Sequence, residues 1–317
     1  MAKWTVRTRA TGVAPDRRQF LKAVTAAAGA CLSPHSAYAS GADLAQRLHM
    51  GAQTNAWGVP IRDYRQLLEI AYTLVGLGYE GFETNFASLS SQAGRAADCR
   101  RDFASRHIQL IAAHSSGYFY DKDKGADELA KLTSMAGYCA QMGARHLIVS
   151  GKEVPHPVGK LDLDAVRIKA EALSRLGAAV KKEGLRLCYH NHEAEFRDNP
   201  SEMSYLLSET DSADVGLCLD VGHCYGLTDP AEFTAAHFSR IAIFHLRDET
   251  RSASGKVIYS DPGKGGINLK GIVAPLLNSN WDGWLEVEEE QYYPKPMPNP
   301  EMAMQKWRQY LRELTGV

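Results

Sequence analysis

The chain has 317 residues, of which 44% are hydrophobic and 23% charged, a composition typical of a globular protein with one or two domains. It has no run of about 18 apolar residues, so no membrane-spanning helix is predicted. Without residues 1–39, the counts become 30 basic (36 minus 6) and 36 acidic (37 minus 1), a net charge of −6. This mildly acidic balance argues against nucleic acid or anionic lipid as a partner.

Residues 1–39 carry the features of an export signal in their usual order. A paired arginine, Arg17-Arg18, is followed by a weakly apolar stretch at 23–32, and then by alanines at 37 and 39, the positions that a signal peptidase reads. This order resembles a twin-arginine signal, which is an address and not an anchor. We therefore expect a cleaved twin-arginine signal peptide, the twin-arginine export machinery as a partner, and a periplasmic or secreted protein.

Short apolar runs then alternate with longer amphipathic stretches through residues 40–317. The runs predict eight strands, at 49–54, 81–84, 108–114, 146–150, 186–190, 215–220, 241–246 and 284–288. The main amphipathic stretches predict helices at 64–77, 127–142, 164–184, 201–210, 230–239, 269–278 and 300–314. Strands that alternate with helices of roughly 10–20 residues indicate βαβ units and a parallel sheet.

Eight such units in about 275 residues match the size of a closed eight-stranded barrel. The alternative is an open doubly wound sheet, which usually has a glycine-rich phosphate turn after its first strand. Here the first strand leads into AWGVP at 56–60, which is no such turn. We therefore expect an α/β fold, a (β/α)8 TIM barrel forming a single domain over residues 40–317.

Polar residues of a few types accumulate at the predicted C-terminal strand ends, where the catalytic groups of a parallel barrel lie. They are Glu83, His114, His190, His192, Asp220, His223, His245, Arg247, Glu286 and Glu288. Imidazole and carboxylate converging on one rim suit one divalent ion such as Mn²⁺, Co²⁺, Zn²⁺ or Fe²⁺, and suit Mg²⁺ less well. Each residue also has a simpler interpretation, since Asp220 could cap a helix and the acidic run at 286–290 could be a solvated surface.

Five motifs carry a resemblance to a known family. They are YHNH at 189–192 with Glu195-Phe196, LDVGH at 219–223, FHLRD at 244–248, GKGGIN at 263–268 and WLEVE at 284–288. Together, in this order, they resemble the xylose isomerase-like sugar phosphate isomerase/epimerase superfamily over the whole of residues 40–317. The resemblance implies a metal held by residues from strands five to eight, here His190, Asp220, His245 and Glu288. His190 departs from the pattern, because many members have glutamate at that position.

The resemblance also implies roles in catalysis. A divalent metal stabilises the enediolate that forms when a carbon next to a carbonyl loses its proton. Glu288 is the expected base, and His192 or His223 the partner acid or substrate clamp, because imidazole titrates near neutrality. The residues expected to hold the substrate are Arg247, His114, Glu83 and Trp57.

The same half-reaction supports several outcomes, and the first expectation is a sugar isomerase or epimerase acting on a small-molecule sugar or keto-sugar. The alternatives are a metal-dependent lyase or dehydratase that eliminates from a keto-sugar or keto-glycoside, and a non-catalytic carbohydrate-binding barrel. The sequence leaves open whether the chain forms a homo-oligomer. An abasic-site endonuclease shares this fold, but the net charge of −6 argues against a DNA groove.

Overall fold

A computed structural model of the protein describes residue 44 and residues 46–317, so the expected signal peptide lies outside the described residues. Eight parallel strands close into one barrel, as the sequence predicts. They are β1 (Leu48–Gln53), β2 (Gly81–Asn85), β3 (Gln109–Gly117), β4 (His146–Gly151), β5 (Arg186–His190), β6 (Val215–Asp220), β7 (Ile241–Leu246) and β10 (Gly283–Val287). Neighbours in sequence pair in the barrel, and β10 closes it between β7 and β1.

A small antiparallel hairpin, β8 (Glu249–Arg251) and β9 (Val257–Tyr259), follows β7 and was not predicted, because its strands are only three residues long. The helices are α1 (Tyr64–Gly76), α2 (Phe86–Leu89), α3 (Ala96–Ser105), α4 (Lys122–Gln141), α5 (Leu163–Lys182), α6 (Glu202–Glu209), α7 (Val221–Cys224), α8 (Pro230–His237), α9 (Leu269–Leu277) and α10 (Pro300–Thr315). None of the helices in this described part is long and apolar enough to cross a membrane.

Local capping decides where several helices begin. The helix α4 starts at Lys122 rather than at the expected residue 127, because the carboxylate of Asp121 accepts from the amides of the first turn. Asp63, Asp162 and Asp229 cap α1, α5 and α8 in the same way. The helix α3 was not predicted, because its buried side chains are few and spread over a mostly polar segment.

The core has two layers, and the inner one fixes the direction of the site residues. The barrel interior is filled by a cluster that includes Cys188, Cys218, Ile243 and Trp284. Because alternate side chains of a strand point to the same face, the residues two positions further along these strands also point inward. These are His190, Asp220, His245 and Glu286, and Glu288 follows Glu286 by two positions. The outer layer packs the other strand faces against the helices.

Candidate metal centre

Four side chains from four neighbouring strand ends meet at the C-terminal rim. His190, Asp220, His245 and Glu288 each offer one ligand atom, and these atoms lie within 4.8 Å of one another. Nε2 of His190 is 3.6 Å from Asp220 Oδ2 and 3.6 Å from Glu288 Oε2. Nδ1 of His245 is 2.9 Å from Glu288 Oε2. The structure therefore brings together the four residues that the sequence nominates, and His190 points to the shared centre.

These four residues, here called the rim quartet, fit a metal ion. Both ring nitrogens of His190, Nδ1 of His245 and Oε2 of Glu288 are buried without a hydrogen-bond partner of acceptable geometry. Buried polar atoms of this kind are costly unless something satisfies them. Burial lowers the pKa of His190, but Asp220 and Glu288 outweigh it and raise the pKa to about 9, so the centre attracts positive charge. A mixed set of two imidazoles and two carboxylates suits a divalent transition ion.

Asp220 both caps a helix and faces the position of the metal. Its Oδ1 accepts from the amide of His223 at 2.8 Å and so caps the short helix α7. Its Oδ2 faces His190 in the rim quartet. Asn191 clamps the same strand end, because its side chain donates to the Asp220 carbonyl and accepts from the Asp220 amide, both at 3.0 Å. Sequence reasoning missed Asn191, although it stands in the YHNH motif.

Glu83 does not line the open site as expected. It is fully buried, and its Oε2 accepts from Nε2 of His245 at 2.7 Å, while Oε1 lies 3.4 Å from Nδ1 of His114. Burial raises its pKa, but His245 and His114 prevail and hold the pKa at about 2. A carboxylate that bonds one imidazole nitrogen fixes the ring so that the other nitrogen faces the metal position. Glu83 therefore orients His245 and is too deep to contact a substrate.

Arg247 is also buried and already paired. Its guanidinium binds Asp220, lies 2.7 Å from Glu290 Oε2, and lies 3.5 Å from Glu288 Oε2. The carboxylates Asp220, Glu288 and Glu290 against one guanidinium leave a formal charge of −2, which a divalent cation would neutralise. Arg247 thus balances charge next to the rim quartet, and because it also lines an open cavity, its expected contact with a substrate stays a prediction. Asn55 supports the same centre, since its amide donates to Glu288 Oε1 at 3.0 Å.

His192 and His223 lie next to the rim quartet, with ring centres 4.9 Å apart. Burial lowers the pKa of His192 to about 4 and that of His223 to about 3. Both rings are therefore neutral at pH 7 and serve as hydrogen-bond partners or bases. These pKa directions favour the expected role of substrate clamp over that of a partner acid, and both roles stay predictions.

Two cavities open beside these rings and share Gly151, Lys152 and His192 in their walls. Cavity A, of about 230 Å³, is lined by His114, His190, Glu288, Glu290 and by the amide and hydroxyl groups of Gln53, Asn55, Asn85, Ser115, Ser116 and Ser150. Cavity B, of about 390 Å³, lies over His223 and Arg247 and is closed on one side by the β8–β9 hairpin. His114 thus reaches an open cavity, as expected. Trp57 lines neither cavity and packs against the hydrophobic core.

Two motif residues prove to support the rim rather than to line it. The carboxylate of Asp248 accepts from the amides of Glu249, Gly265 and Ile267, and so holds the 263–268 loop against β8. Glu286 is fully buried below the rim quartet, 3.9 Å from Nε2 of His245. Burial raises the pKa of Glu286 well above its usual value.

A second buried charged cluster stands behind β5. Nζ of Lys169 lies 3.1 Å from Glu195 Oε1 and also binds Glu202, while the Tyr189 hydroxyl donates to Glu195. Glu195 Oε2 accepts from the amide of His192 at 2.9 Å. We call Lys169, Glu195 and Glu202 the lysine cluster. It holds the chain segment that carries His192, and sequence reasoning missed Lys169 because a lysine in an amphipathic helix gives no sign of burial.

Known proteins share this architecture. Residues 71–314 match the family described as xylose isomerase-like TIM barrel. An inosose dehydratase from Clostridium perfringens is 30% identical over 237 residues, which are 67% of this chain and 79% of that protein. The solved structure of L-ribulose 3-epimerase has a TM-score of 0.71 at 14% identity, over 85% of this chain and 95% of that one. That of the IOLI protein, with a bound zinc atom, has a TM-score of 0.66 at 16% identity, over 84% and 98%.

The predicted resemblance is confirmed at the level of the family and its fold, which extend over most of the described barrel. The two solved structures are less than 25% identical to this chain, so they speak for the fold alone. The motifs at the ends of β5, β6, β7 and β10 are the sequence elements that build the rim quartet. The chain belongs to the xylose isomerase-like TIM barrel family.

Proposed function

We propose that the protein is a metal-dependent dehydratase that removes water from a cyclic polyhydroxylated ketone. The rim quartet carries this proposal: four buried ligand atoms converge where Glu288 also faces cavity A. The hydroxyl and amide groups in the wall of cavity A match the many hydroxyls of such a ring. The relatives named inosose dehydratase support the same class, because an inosose is a cyclic polyhydroxylated ketone.

The side chains of the chain divide the reaction between them. When bound, a divalent cation would supply a Lewis acid that polarises the ketone oxygen and makes the neighbouring C–H more acidic. Glu288 accepts that proton, and the double bond forms as the C–O bond at the next carbon breaks. The hydroxyl on that next carbon takes the proton back from Glu288, which lies on the same face of the ring, and leaves as water. Neutral His192, which lines cavity A, accepts a hydrogen bond from one of the remaining hydroxyls and orients the ring.

An epimerase or isomerase is the second candidate, and one observation favours it. Glu290 lines cavity A together with Glu288, so a second carboxylate lies near the same carbon even though His190 stands at the position of the family's usual glutamate. With two carboxylates, a proton taken by one is returned by the other at the same or the neighbouring carbon. The absence of glutamate at position 190 makes us rank elimination first.

The test combines metal analysis with NMR of an inosose in D₂O. About one equivalent of metal per chain and an unsaturated ketone as product support the dehydratase. Deuterium uptake next to the carbonyl without loss of water would instead select the isomerase or epimerase. If the protein binds no Mn, Co, Zn or Fe even after reconstitution, the metal-dependent mechanism is wrong and a carbohydrate-binding barrel becomes the better interpretation.

We also propose that this chemistry takes place outside the cytoplasm, after export through the twin-arginine machinery. The support is the order of features in residues 1–39, namely Arg17-Arg18, the apolar stretch and the alanines at 37 and 39. Fractionation of cells that produce the full chain should recover a protein beginning near residue 40 in the periplasm or the medium. Arg17→Lys combined with Arg18→Lys should leave the uncleaved chain inside the cell.

A further inference from the structure

Cavity B is large, adjoins the reaction centre, and has no role in the reaction as written above. Cavity A, at about 230 Å³, is smaller than the roughly 300–1,000 Å³ of common ligand pockets, and it already faces Glu288 and His190. Cavity B adds about 390 Å³ on the other side of His192. One ring held at Glu288 in cavity A leaves this second volume unfilled.

The charges of cavity B tell which chemistry suits it. Its arginines are paired: Arg197 lies 2.8 Å from Glu153, and Arg251 lies 2.8 Å from Glu193 and 3.0 Å from Glu249. The third, Arg247, is bound to Asp220 and Glu290. A phosphate or carboxylate of a ligand would have to displace these partners. The paired charges instead present many fixed donors and acceptors without a net demand for an anion.

Two further features indicate a polyhydroxylated occupant. Tyr259 and Val257 of the β9 strand add an aromatic and an apolar surface to the wall, beside the Arg251–Glu249 ion pair on β8. An apolar or aromatic face next to charged hydrogen-bonding groups suits a sugar ring, which has C–H faces and a rim of hydroxyls. Lys152 lines both cavities, and within the described part of the chain its ammonium has no carboxylate within 4.0 Å and lies 5.9 Å from the centre of the Tyr118 ring. A weak contact of this kind leaves the ammonium able to bind a bridging oxygen.

From this geometry we infer that the substrate has two parts: a ketone ring in cavity A, joined through an ether oxygen near Lys152 to a neutral polyhydroxylated ring in cavity B. The inference rests on the proposed function for the position of the ketone, and it extends that function to oxidised disaccharides and related glycosides. Cavity B is then a specificity subsite, which touches no reacting atom.

Binding of compounds that cannot react tests the subsite separately from the chemistry. The probes are myo-inositol, which has one ring, and lactose, which has two, with calorimetry on the metal-loaded protein. We expect lactose to bind at least tenfold more tightly. Val257→Trp should fill cavity B and abolish this preference while leaving myo-inositol binding unchanged. Ile258→Trp is the matched control, because Ile258 is the next residue on the same strand, is 50% exposed and lines neither cavity.

A second substitution, outside the β8–β9 hairpin, covers the case in which Val257→Trp misfolds the hairpin. Glu153→Trp narrows cavity B from the loop after β4 and should also abolish the preference for lactose. The inference is overturned if lactose binds no better than myo-inositol, or if both tryptophan variants leave the preference intact. If lactose binding behaves as expected but neither an inosose nor lactose oxidised to a ring ketone reacts, the proposed function fails and the subsite remains. If an inosose is turned over but lactose binds no better than myo-inositol, the proposed function stands and the subsite fails.

Discussion

The rim quartet and the lysine cluster are two buried charged groups on either side of strand β5. They differ in how many of their polar atoms have hydrogen-bond partners. In the lysine cluster, Lys169 is bound by two carboxylates, and Glu195 accepts further hydrogen bonds from Tyr189 and from the His192 amide. In the rim quartet, both nitrogens of His190, Nδ1 of His245 and one oxygen of Glu288 have no hydrogen-bond partner, whereas in the lysine cluster this holds for Oε2 of Glu202 alone. Both groups are almost completely inaccessible to solvent.

The difference teaches that burial of charge alone does not identify a functional site. In the lysine cluster one ammonium meets two carboxylates, a formal charge of −1, and burial raises the pKa of Glu202. A cluster whose cation and donors all meet acceptors is a structural element, and here it anchors the segment with His192. A cluster with several unpartnered ligand atoms pointing to one position is set up for a ligand that the protein itself does not supply. The following predictions test this distinction, beginning with the largest expected effect.

Removing two carboxylates from the rim quartet should abolish metal binding. For Asp220→Ala with Glu288→Ala we expect metal affinity to fall by at least about 1,000-fold, since loss of an outer partner of a ligand already costs 10–100-fold. Elemental analysis after dialysis measures this, with Lys169→Met as the control that should keep its metal. A double variant that retains one equivalent of metal would contradict the assignment.

Breaking the lysine cluster should instead destabilise the fold. Lys169→Met leaves Glu195 and Glu202 buried without their cation, and we expect the free energy of unfolding to fall by about 3–5 kcal/mol. Urea unfolding followed by circular dichroism measures the change. Adding Glu195→Gln and Glu202→Gln removes the orphaned charges, so this triple variant should recover part of the loss. A loss below about 1 kcal/mol for Lys169→Met would show that the cluster is not structural.

Glu83 connects to the rim quartet from below, so its replacement should have an intermediate effect on the metal. Glu83→Gln keeps the size of the side chain but removes the charge that orients His245. We expect metal affinity to drop by roughly 10–100-fold with little change in unfolding. Competition with a chelator gives the affinity. The control is His114→Gln, which leaves the His245 bond in place and alters the weaker 3.4 Å contact with Glu83 and the 3.3 Å contact with Ser150. Equal effects of the two variants would argue against a special role for the His245 bond.

The partly exposed ion pair of His49 and Glu80, at the other end of the barrel, should have the smallest effect of the changes considered. Glu80 hydrogen-bonds His49 at 3.1 Å and, against partial burial, raises its pKa. Because the folded pKa exceeds the unfolded value near 6.5, this contribution is complete below pH 6.5 and is lost as the pH rises through the folded pKa. We expect at most a few tenths of a kcal/mol, since 28% of the His49 side chain is exposed. Unfolding at pH 6 and pH 9, compared with His49→Gln, measures it.

Much of the fold followed from periodicity. All eight barrel strands were predicted with ends within three residues of those observed, because buried parallel strands are short apolar runs between helices with a different period. The rule that polar residues at strand ends converge gave ten candidate residues, and the resemblance to the family selected the four of the rim quartet among them. The hairpin at Glu249–Arg251 and Val257–Tyr259 did not, since its strands are too short to show any period.

The sequence by itself determined the barrel, because alternation along each strand is a local property that the residues carry wherever the strand lies. It also indicated the family and the four residues of the rim quartet, through motifs that resemble those of the family. Only the tertiary structure decided which charged side chains pair with each other. Glu83 meets His245 across 162 positions of sequence and Lys169 meets Glu202 across 33, and nothing local in the chain records these distances. Closure of β10 against β1 and the stagger between strands bring such groups together, and the same closure forms the two cavities beside His192.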